Sequence, residues 1–280
     1  MSRTTAIEWT EHTWNPFAGC SIHTAGCTNC YAMRQAFRIE QFGTASHYQG
    51  LTKKVNGNIV WTGKVSRASD SGMRKPFGIK APALIFVNSM SDFWHENAQD
   101  AWRIEALEIM RSNPSHTFQV LTKRPENALR FFDARPDVSL PDNFWFGVTV
   151  EHRNTVDRLD LLRQAPAALK FVSFEPLVGS CGRMNLSGID WCITGGESGV
   201  GHRPCDHQWI REIHEQTREA GAAHFFKQWG HWSNNPIAKT APPNISPAEW
   251  VSKQDPVGKG GSLLDGVSWK EMPEIAIDLA

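Results

Sequence analysis

The 280-residue sequence predicts an α/β fold, in which parallel strands alternate with helices to form a barrel or partial barrel. Three observations predict it. Six short apolar runs have the length of buried strands, amphipathic stretches with helical spacing separate them, and each run ends in polar residues. Because βα units connect right-handedly, six or more of them curl into a barrel whose strand ends meet at one polar face.

The predicted strands and helices follow one another from the first third of the chain onward. Strands are expected at residues 83–89, 117–123, 144–150, 169–175, 190–196 and 224–230, with a further short strand before the first cysteines. Helices are expected at residues 30–43, 96–113, 125–135, 152–165 and 207–221. Gly43 and Gly221 suit helix C-termini, and Pro125 suits a first helical turn.

Two segments depart from this alternation. Residues 45–82 contain Asn56-Gly57 between two strand-like runs, which predicts a small antiparallel hairpin insertion. Residues 231–280 are irregular and too short for a core of their own, so we expect a C-terminal extension packed on the barrel. The predicted organisation is therefore a barrel over residues 1–230, with an N-terminal cluster loop and the hairpin, followed by the extension.

Composition excludes some functional classes. Lys plus Arg and Asp plus Glu both number 29, so the strong positive field of a dedicated nucleic-acid binder is absent. The chain starts without an apolar signal core, and no stretch approaches the roughly 20 apolar residues of a spanning helix. We therefore expect a cytoplasmic protein with no membrane partner, whose reduced thiols favour metal binding over disulfides.

Three cysteines near the N-terminus give the clearest indication of the chemistry of the chain. Cys20, Cys27 and Cys30 lie within eleven residues, and Gly19 allows the chain to fold back tightly before the first of them. The spacing suits a 4Fe-4S cluster with three protein ligands and one open iron. His23 lies between the first two cysteines, so a closed zinc site of three cysteines and one histidine fits the same spacing. Spacing alone leaves both metals open.

Polar residues at the predicted strand ends form the second candidate site. They comprise Asn88, Ser89, Ser91, Asp92, Lys123, Arg124, Thr149, Glu151, Ser173, Glu175, Thr194, Gly195, Gly196, Glu197, Lys227 and Gln228. His95 and Trp229 are added as candidate pocket residues. Each residue alone also suits a helix cap or a solvated turn, and the twelve tryptophans suit either core packing or stacking on a planar ligand. Together the strand ends predict one concave polar site.

Eight segments spread over nearly the whole chain carry a resemblance to a known family. They are IEWTEHTWNPFAGC, GCTNCYA, VNSMSDFWH, LTKRPE, FVSFEPLVG, ITGGESG, FFKQWG and LDGVSWKEMP. With them the chain resembles the phage-associated three-Cys-motif family, relatives of the radical S-adenosylmethionine enzymes. The resemblance implies a partial (β/α) barrel of the radical S-adenosylmethionine type, with a 4Fe-4S cluster in the loop after the first strand.

The resemblance also implies an activity and a set of roles. In such enzymes the open iron holds the methionine part of S-adenosylmethionine, and the reduced cluster cleaves it to release a 5'-deoxyadenosyl radical for hydrogen abstraction. The cluster ligands become Cys20, Cys27 and Cys30. Cofactor contacts become Tyr31, Asn88, Ser89, Ser91, Thr149, Glu151, Gly195 and Gly196. Catalytic residues become Asp92, Lys123, Glu175, Glu197 and Lys227, and substrate contacts His95, Arg124, Gln228 and Trp229.

The chain differs from the usual superfamily pattern in three respects. Its cysteines are separated by six and then two residues instead of three and two, and Asn29 occupies the usual aromatic position before the third cysteine, with the aromatic displaced to Tyr31. The Gly-Gly-Glu motif follows a later strand than usual. A nucleobase or nucleic acid is a candidate substrate, for which the neutral overall charge gives no support. The alternatives are a zinc- or cluster-stapled barrel that binds or hydrolyses a small anionic ligand, and a non-catalytic protein that acts with a companion protein.

Overall fold

The computed structural model describes residues 5–274, so the last residues of the predicted C-terminal extension lie outside the described part. The strands are β1 (His12–Trp14), β2 (Phe17–Ala18), β3 (Thr52–Val55), β4 (Asn58–Trp61), β5 (Ser66–Arg67), β6 (Leu84–Val87), β7 (Thr117–Thr122), β8 (Phe144–Thr149), β9 (Leu169–Leu177), β10 (Trp191–Gly196), β11 (Ala223–Gln228), β12 (Leu263–Leu264) and β13 (Val267–Ser268). The helices are α1 (Tyr31–Phe42), α2 (Asp70–Met73), α3 (Asp100–Arg111), α4 (Pro125–Ala134), α5 (Arg158–Gln164), α6 (His207–Glu219) and α7 (Pro247–Gln254).

The main sheet has seven strands in the order β1-β6-β7-β8-β9-β10-β11. The pairs β1–β6, β6–β7, β7–β8, β9–β10 and β10–β11 are parallel. Every residue of β8 and of β10 is buried, as expected of strands covered on both faces. The predicted α/β class, the six predicted strands and the short strand before the cysteines are therefore confirmed.

Two helix predictions were too long at their N-termini. Residues 96–99 precede α3 instead of belonging to it, and the Arg103 guanidinium donates to the carbonyls of Phe93 and His95 just before them, at 3.1 and 2.5 Å. The predicted helix at 152–165 is split, with a 3-10 turn at Arg153–Thr155 before α5. Gly43 ends α1 with a φ of 63°, as predicted.

The hairpin insertion is confirmed. Strands β3 and β4 pair antiparallel across Asn56 and Gly57, whose φ values of 49° and 79° suit a type I′ turn. The C-terminal segment contains one helix that the sequence reading missed, α7. The sequence contains the signals for its start, which are a serine at the N-cap and a proline at the first helical position. In the structure, Ser246 Oγ accepts from the backbone N–H of Glu249.

The chain divides into two compact units. The first comprises Met1–Val148 and Asp160–Leu169, and the second comprises Thr149–Leu159 and Lys170–Ala280. The cysteine loop and the ends of β6 and β7 belong to the first unit, while the ends of β9, β10 and β11 belong to the second. Among the helices of the described residues, none has the length and apolar character needed to cross a membrane.

Candidate functional site

The cysteine loop of the first unit is fastened to the end of β6. The Gly19 backbone N–H donates to the Met90 carbonyl at 3.1 Å, and Ser91 Oγ donates to the Gly19 carbonyl at 2.6 Å. Gly19 has a φ of +95°, and a Cβ there would lie 2.1 Å from the Lys64 carbonyl oxygen. Only glycine fits this position, so the residue before Cys20 fixes the entry of the loop.

Side chains predicted to contact the cofactor also fasten this region. Ser89 Oγ donates to Asn15 Oδ1 at 3.1 Å, and the Tyr31 hydroxyl donates to the Ser89 carbonyl at 3.1 Å. Asn88 has a φ of 60°, and its Oδ1 accepts from the Phe17 backbone N–H at 3.3 Å. The Asn88 amide nitrogen is buried and has no hydrogen-bond acceptor within the described residues. This nitrogen is therefore the donor among these side chains that a ligand would satisfy.

The three thiols lie close enough to influence one another. Cys27 ends a 3-10 turn, and Cys30 is the N-cap of α1. Burial raises the pKa of Cys20 to about 12, and negative charge at Asp92, Cys27 or Cys30 raises it further. Burial also raises the pKa of Cys30, which Lys123 opposes. A bound metal would displace these protons, because thiolates are the ligating form.

Arg124 contacts the first cysteine of the loop. Its Nη1 lies 3.8 Å from Cys20 Sγ and 3.3 Å from Asp92 Oδ2. Its Nε donates to Glu96 Oε2 at 2.9 Å, and its Nη2 donates to Ser21 Oγ at 2.8 Å. The side chain is only 3% exposed, so it has little surface for a substrate. This contact with Cys20 differs from the predicted substrate contact.

Asp92 is surrounded by donors. Its carboxylate accepts from Thr122 Oγ1 at 2.6 Å and from the backbone N–H groups of Trp94 and Lys123, both at 3.0 Å. Burial alone would raise the pKa of Asp92, but Arg124 and Thr122 outweigh it and hold the pKa below its usual range. Asp92 is therefore held as a carboxylate, a form suited to charge placement and poorly suited to proton donation.

His95 is fully buried beside the same network. Its Nδ1 accepts from the Asn97 backbone N–H at 3.1 Å, which assigns the proton to Nε2, 3.0 Å from Ser21 Oγ. Burial, followed by the charge of Arg124, lowers the pKa of His95. Both ring nitrogens thus have protein partners, and the placement favours a role in holding the cysteine loop.

The iron–sulfur and zinc alternatives place different demands on the cysteine loop. Within residues 5–274, no three His, Cys, Asp or Glu side chains are gathered so as to hold one metal ion. His23 Nε2 lies 4.0 Å from Glu126 Oε1. A cluster binds each thiolate to a different iron, so its cysteines stand farther apart than those around one ion. Cations adjoin the loop, since Arg124 Nη1 lies 3.8 Å from Cys20 Sγ and Lys123 opposes the raised pKa of Cys30, and the choice between the two metals stays a prediction.

In the second unit, three predicted residues meet at the ends of β9 and β11. Lys227 Nζ lies 2.7 and 3.0 Å from the two Glu175 oxygens, and Gln228 Nε2 lies 3.5 Å from Glu175 Oε1. A Cβ at Gly195 would lie 3.2 Å from Glu175 Cδ, so this glycine leaves room for the carboxylate. The side chains of Lys227 and Glu175 are each 19% exposed, which leaves the pair within reach of a ligand.

The Gly-Gly-Glu motif serves packing in this structure. A Cβ at Gly196 would lie 2.1 Å from the Trp229 carbonyl oxygen, so the glycine accommodates a neighbouring backbone. Glu197 is buried and accepts from the Arg203 backbone N–H at 2.8 Å and from its guanidinium at 2.6 and 2.9 Å. Trp229 is buried, and its indole N–H donates to the Leu263 carbonyl at 3.1 Å. These placements favour structural roles for Gly196, Glu197 and Trp229.

Thr149 and Glu151, the predicted ribose contacts, are both buried in the second unit. Arg158 Nη1 donates to the Thr149 carbonyl at 2.6 Å and lies 3.6 Å from Glu151 Oε2. The carboxylate therefore has a cationic partner inside the protein, and its contact with a ribose stays a prediction.

The cysteines outside the loop are buried and reduced. Burial raises the pKa of Cys181, Cys192 and Cys205 to about 12 in each case. Cys192 is fully buried within β10, which confirms its prediction as a core residue. Because they lie outside the loop, these residues are suitable controls for the loop cysteines.

The buried His224 of the second unit, which contacts His214, predicts acid sensitivity. His224 Nδ1 lies 2.8 Å from His214 Nδ1, and His224 Nε2 lies 2.9 Å from Thr194 Oγ1. Burial, His214 and Arg218 lower the pKa of His224 to about 3. The unfolded chain takes up this proton near pH 6.5 and the folded chain only near pH 3. The contribution of neutral His224 to stability is therefore fully present above pH 6.5 and is lost as the pH falls from 6.5 to 3.

We expect the His224→Gln variant to lose less unfolding free energy than the wild type between pH 7 and pH 4, by up to about 3 kcal/mol. Urea unfolding at both pH values measures this difference. Parallel pH profiles for the two proteins would show that His224 does not carry the sensitivity.

Comparison with known proteins identifies a family. Residues 4–273 match the family model described as "Protein of unknown function (DUF5131)". The chain belongs to this family. No curated protein matches the chain, and no solved structure matches it. The matched range covers both compact units and includes all three cysteines of the loop.

Proposed function

We propose that this chain is an iron–sulfur protein whose Cys20, Cys27 and Cys30 bind a 4Fe-4S cluster, and that it acts in the manner of the radical S-adenosylmethionine enzymes. One observation carries the proposal. Cys20, Cys27 and Cys30 lie on one loop whose entry Gly19 fixes, and the Arg124 guanidinium lies 3.8 Å from Cys20 Sγ. Cysteine thiolates hold such clusters, and hydrogen bonds to their sulfurs orient and tune them.

The proposal assigns roles to the residues of the first unit. A cluster with one iron free of protein ligands would supply an electron for cleavage of bound S-adenosylmethionine to a 5'-deoxyadenosyl radical. Gly19 and Ser91 hold the ligand loop at the end of β6. The buried Asn88 amide nitrogen offers a hydrogen bond to an acceptor on the cofactor. The partly exposed Glu175 and Lys227 of the second unit stay predicted catalytic residues.

Metal content tests the first half of the proposal. Protein purified without oxygen is expected to be brown, with the charge-transfer absorbance of a cluster and about four iron and four sulfide ions per chain. A colourless protein that carries one zinc ion per chain would overturn the iron–sulfur assignment.

Incubation with dithionite and S-adenosylmethionine tests the second half. We expect 5'-deoxyadenosine to form, and to form faster when nucleosides or single-stranded DNA are added, because the proposed substrate is a nucleobase. A cluster-loaded protein that releases no 5'-deoxyadenosine under any of these conditions would contradict the enzymatic role and favour a binding partner.

A further inference from the structure

The sulfur of Cys20 lies against a guanidinium whose position is fixed from several sides. Arg124 Nη1 lies 3.8 Å from Cys20 Sγ, which is within the range of a hydrogen bond to sulfur. Asp92, Glu96 and Ser21 accept from the same guanidinium at 2.8 to 3.3 Å. The ligand loop itself takes part, because Arg124 Nη2 also lies 3.3 Å from the Ser21 carbonyl oxygen.

Burial makes this charge effective. The Arg124 and Asp92 side chains are 3% and 7% exposed, so water screens their charges poorly. Hydrogen bonds to ligating sulfurs, together with nearby charge, set the reduction potential of an iron–sulfur cluster. Reduction adds negative charge, which a cation stabilises and an anion opposes.

We infer that Arg124 is a positioning residue that orients Cys20 and raises the reduction potential of the cluster, while Asp92 both fixes Arg124 and lowers that potential. This inference rests on the proposed function. It replaces the predicted substrate contact of Arg124 with a contact to the ligand sulfur. It also gives Asp92, Glu96 and Ser21 a common role, because all three position the Arg124 guanidinium against the Cys20 sulfur.

Opposite shifts in two variants test the inference. In a potentiometric titration of the anaerobically purified protein, Arg124→Met is expected to lower the midpoint potential. The ratio of reduced to oxidised protein at a fixed potential should fall about tenfold, which corresponds to about 59 mV for a one-electron couple. Asp92→Asn removes the negative charge and is expected to raise the potential. Arg124→Lys keeps the charge without the planar fork, so its potential should lie between those of Arg124→Met and the wild type.

The control is Arg211→Met, which removes an exposed arginine paired with Asp265 and should leave the potential unchanged. Thermal unfolding of the metal-free variants checks that each one folds. Should Arg124→Met bind no iron, Arg124→Lys carries the test, because it changes the same side chain and keeps its charge.

The outcomes separate this inference from the proposed function. A wild-type protein without iron would overturn both. A wild-type cluster whose potential is unchanged in Arg124→Met and Asp92→Asn would overturn the role of Arg124 and leave the iron–sulfur function standing.

Discussion

Replacing Cys27 with Ala is expected to abolish iron binding and the brown colour of the protein. In the proposed cluster each cysteine of the loop would provide one of three protein ligands, so removal of one would leave a second iron without a protein ligand. Loss of a group that merely supports a ligand costs about 10- to 100-fold in metal affinity, and loss of the ligand itself costs more. Cys20→Ala and Cys30→Ala should behave in the same way. Iron and sulfide analysis after anaerobic purification measures the effect.

The matched control is Cys181→Ala. This cysteine is also buried, but it lies in the second unit, outside the ligand loop. We expect it to retain the full iron content. Equal iron content in the Cys27 and Cys181 variants would remove Cys27 from the ligand set.

Gly196→Ala is expected to lower the free energy of unfolding by about 3 kcal/mol or more. The new methyl group would lie 2.1 Å from the Trp229 carbonyl oxygen and 2.7 Å from its carbonyl carbon. Both are backbone atoms, so relief of the clash requires β10 to move away from the chain that follows β11. Urea unfolding of the metal-free protein measures the loss.

Gly78→Ala is the control for this change, because a Cβ at Gly78 would meet no atom within 4 Å. It should change the free energy of unfolding by less than about 1 kcal/mol. If the Gly196→Ala variant had wild-type stability, the packing role of Gly196 would be wrong, and the predicted contact of the Gly-Gly pair with a ligand would be favoured.

The elements of the main sheet could be predicted because their signals are local. A fully apolar run such as FWFGVT has the length and composition of a buried strand, and the structure makes it β8. The turn at Asn56-Gly57 required no knowledge of the rest of the chain. The start of α3 could not be predicted from local signals. Before it, the carbonyls of Phe93 and His95 accept hydrogen bonds from Arg103, up to ten residues away along the chain.

The parts of the candidate site that could be predicted also have local signals in the sequence. The cysteine loop is a local pattern, and so are the polar residues that follow each strand. Ser21, Glu96 and Asn15 were missed, although each bonds a predicted site residue. Their partners lie 28 to 103 positions away along the chain, so no spacing rule connects them.

The sequence by itself determined the α/β class, the hairpin and the clustered thiols, because hydrophobic periodicity, turn chemistry and cysteine spacing act over short segments. Only the tertiary structure decided what each polar strand-end residue does. It turned Arg124 toward Cys20, paired Glu197 with Arg203, and set the Trp229 carbonyl where a side chain on Gly196 would be. The physical reason is that a buried polar group must find its partner wherever the fold supplies one, and the fold brings together residues distant in sequence.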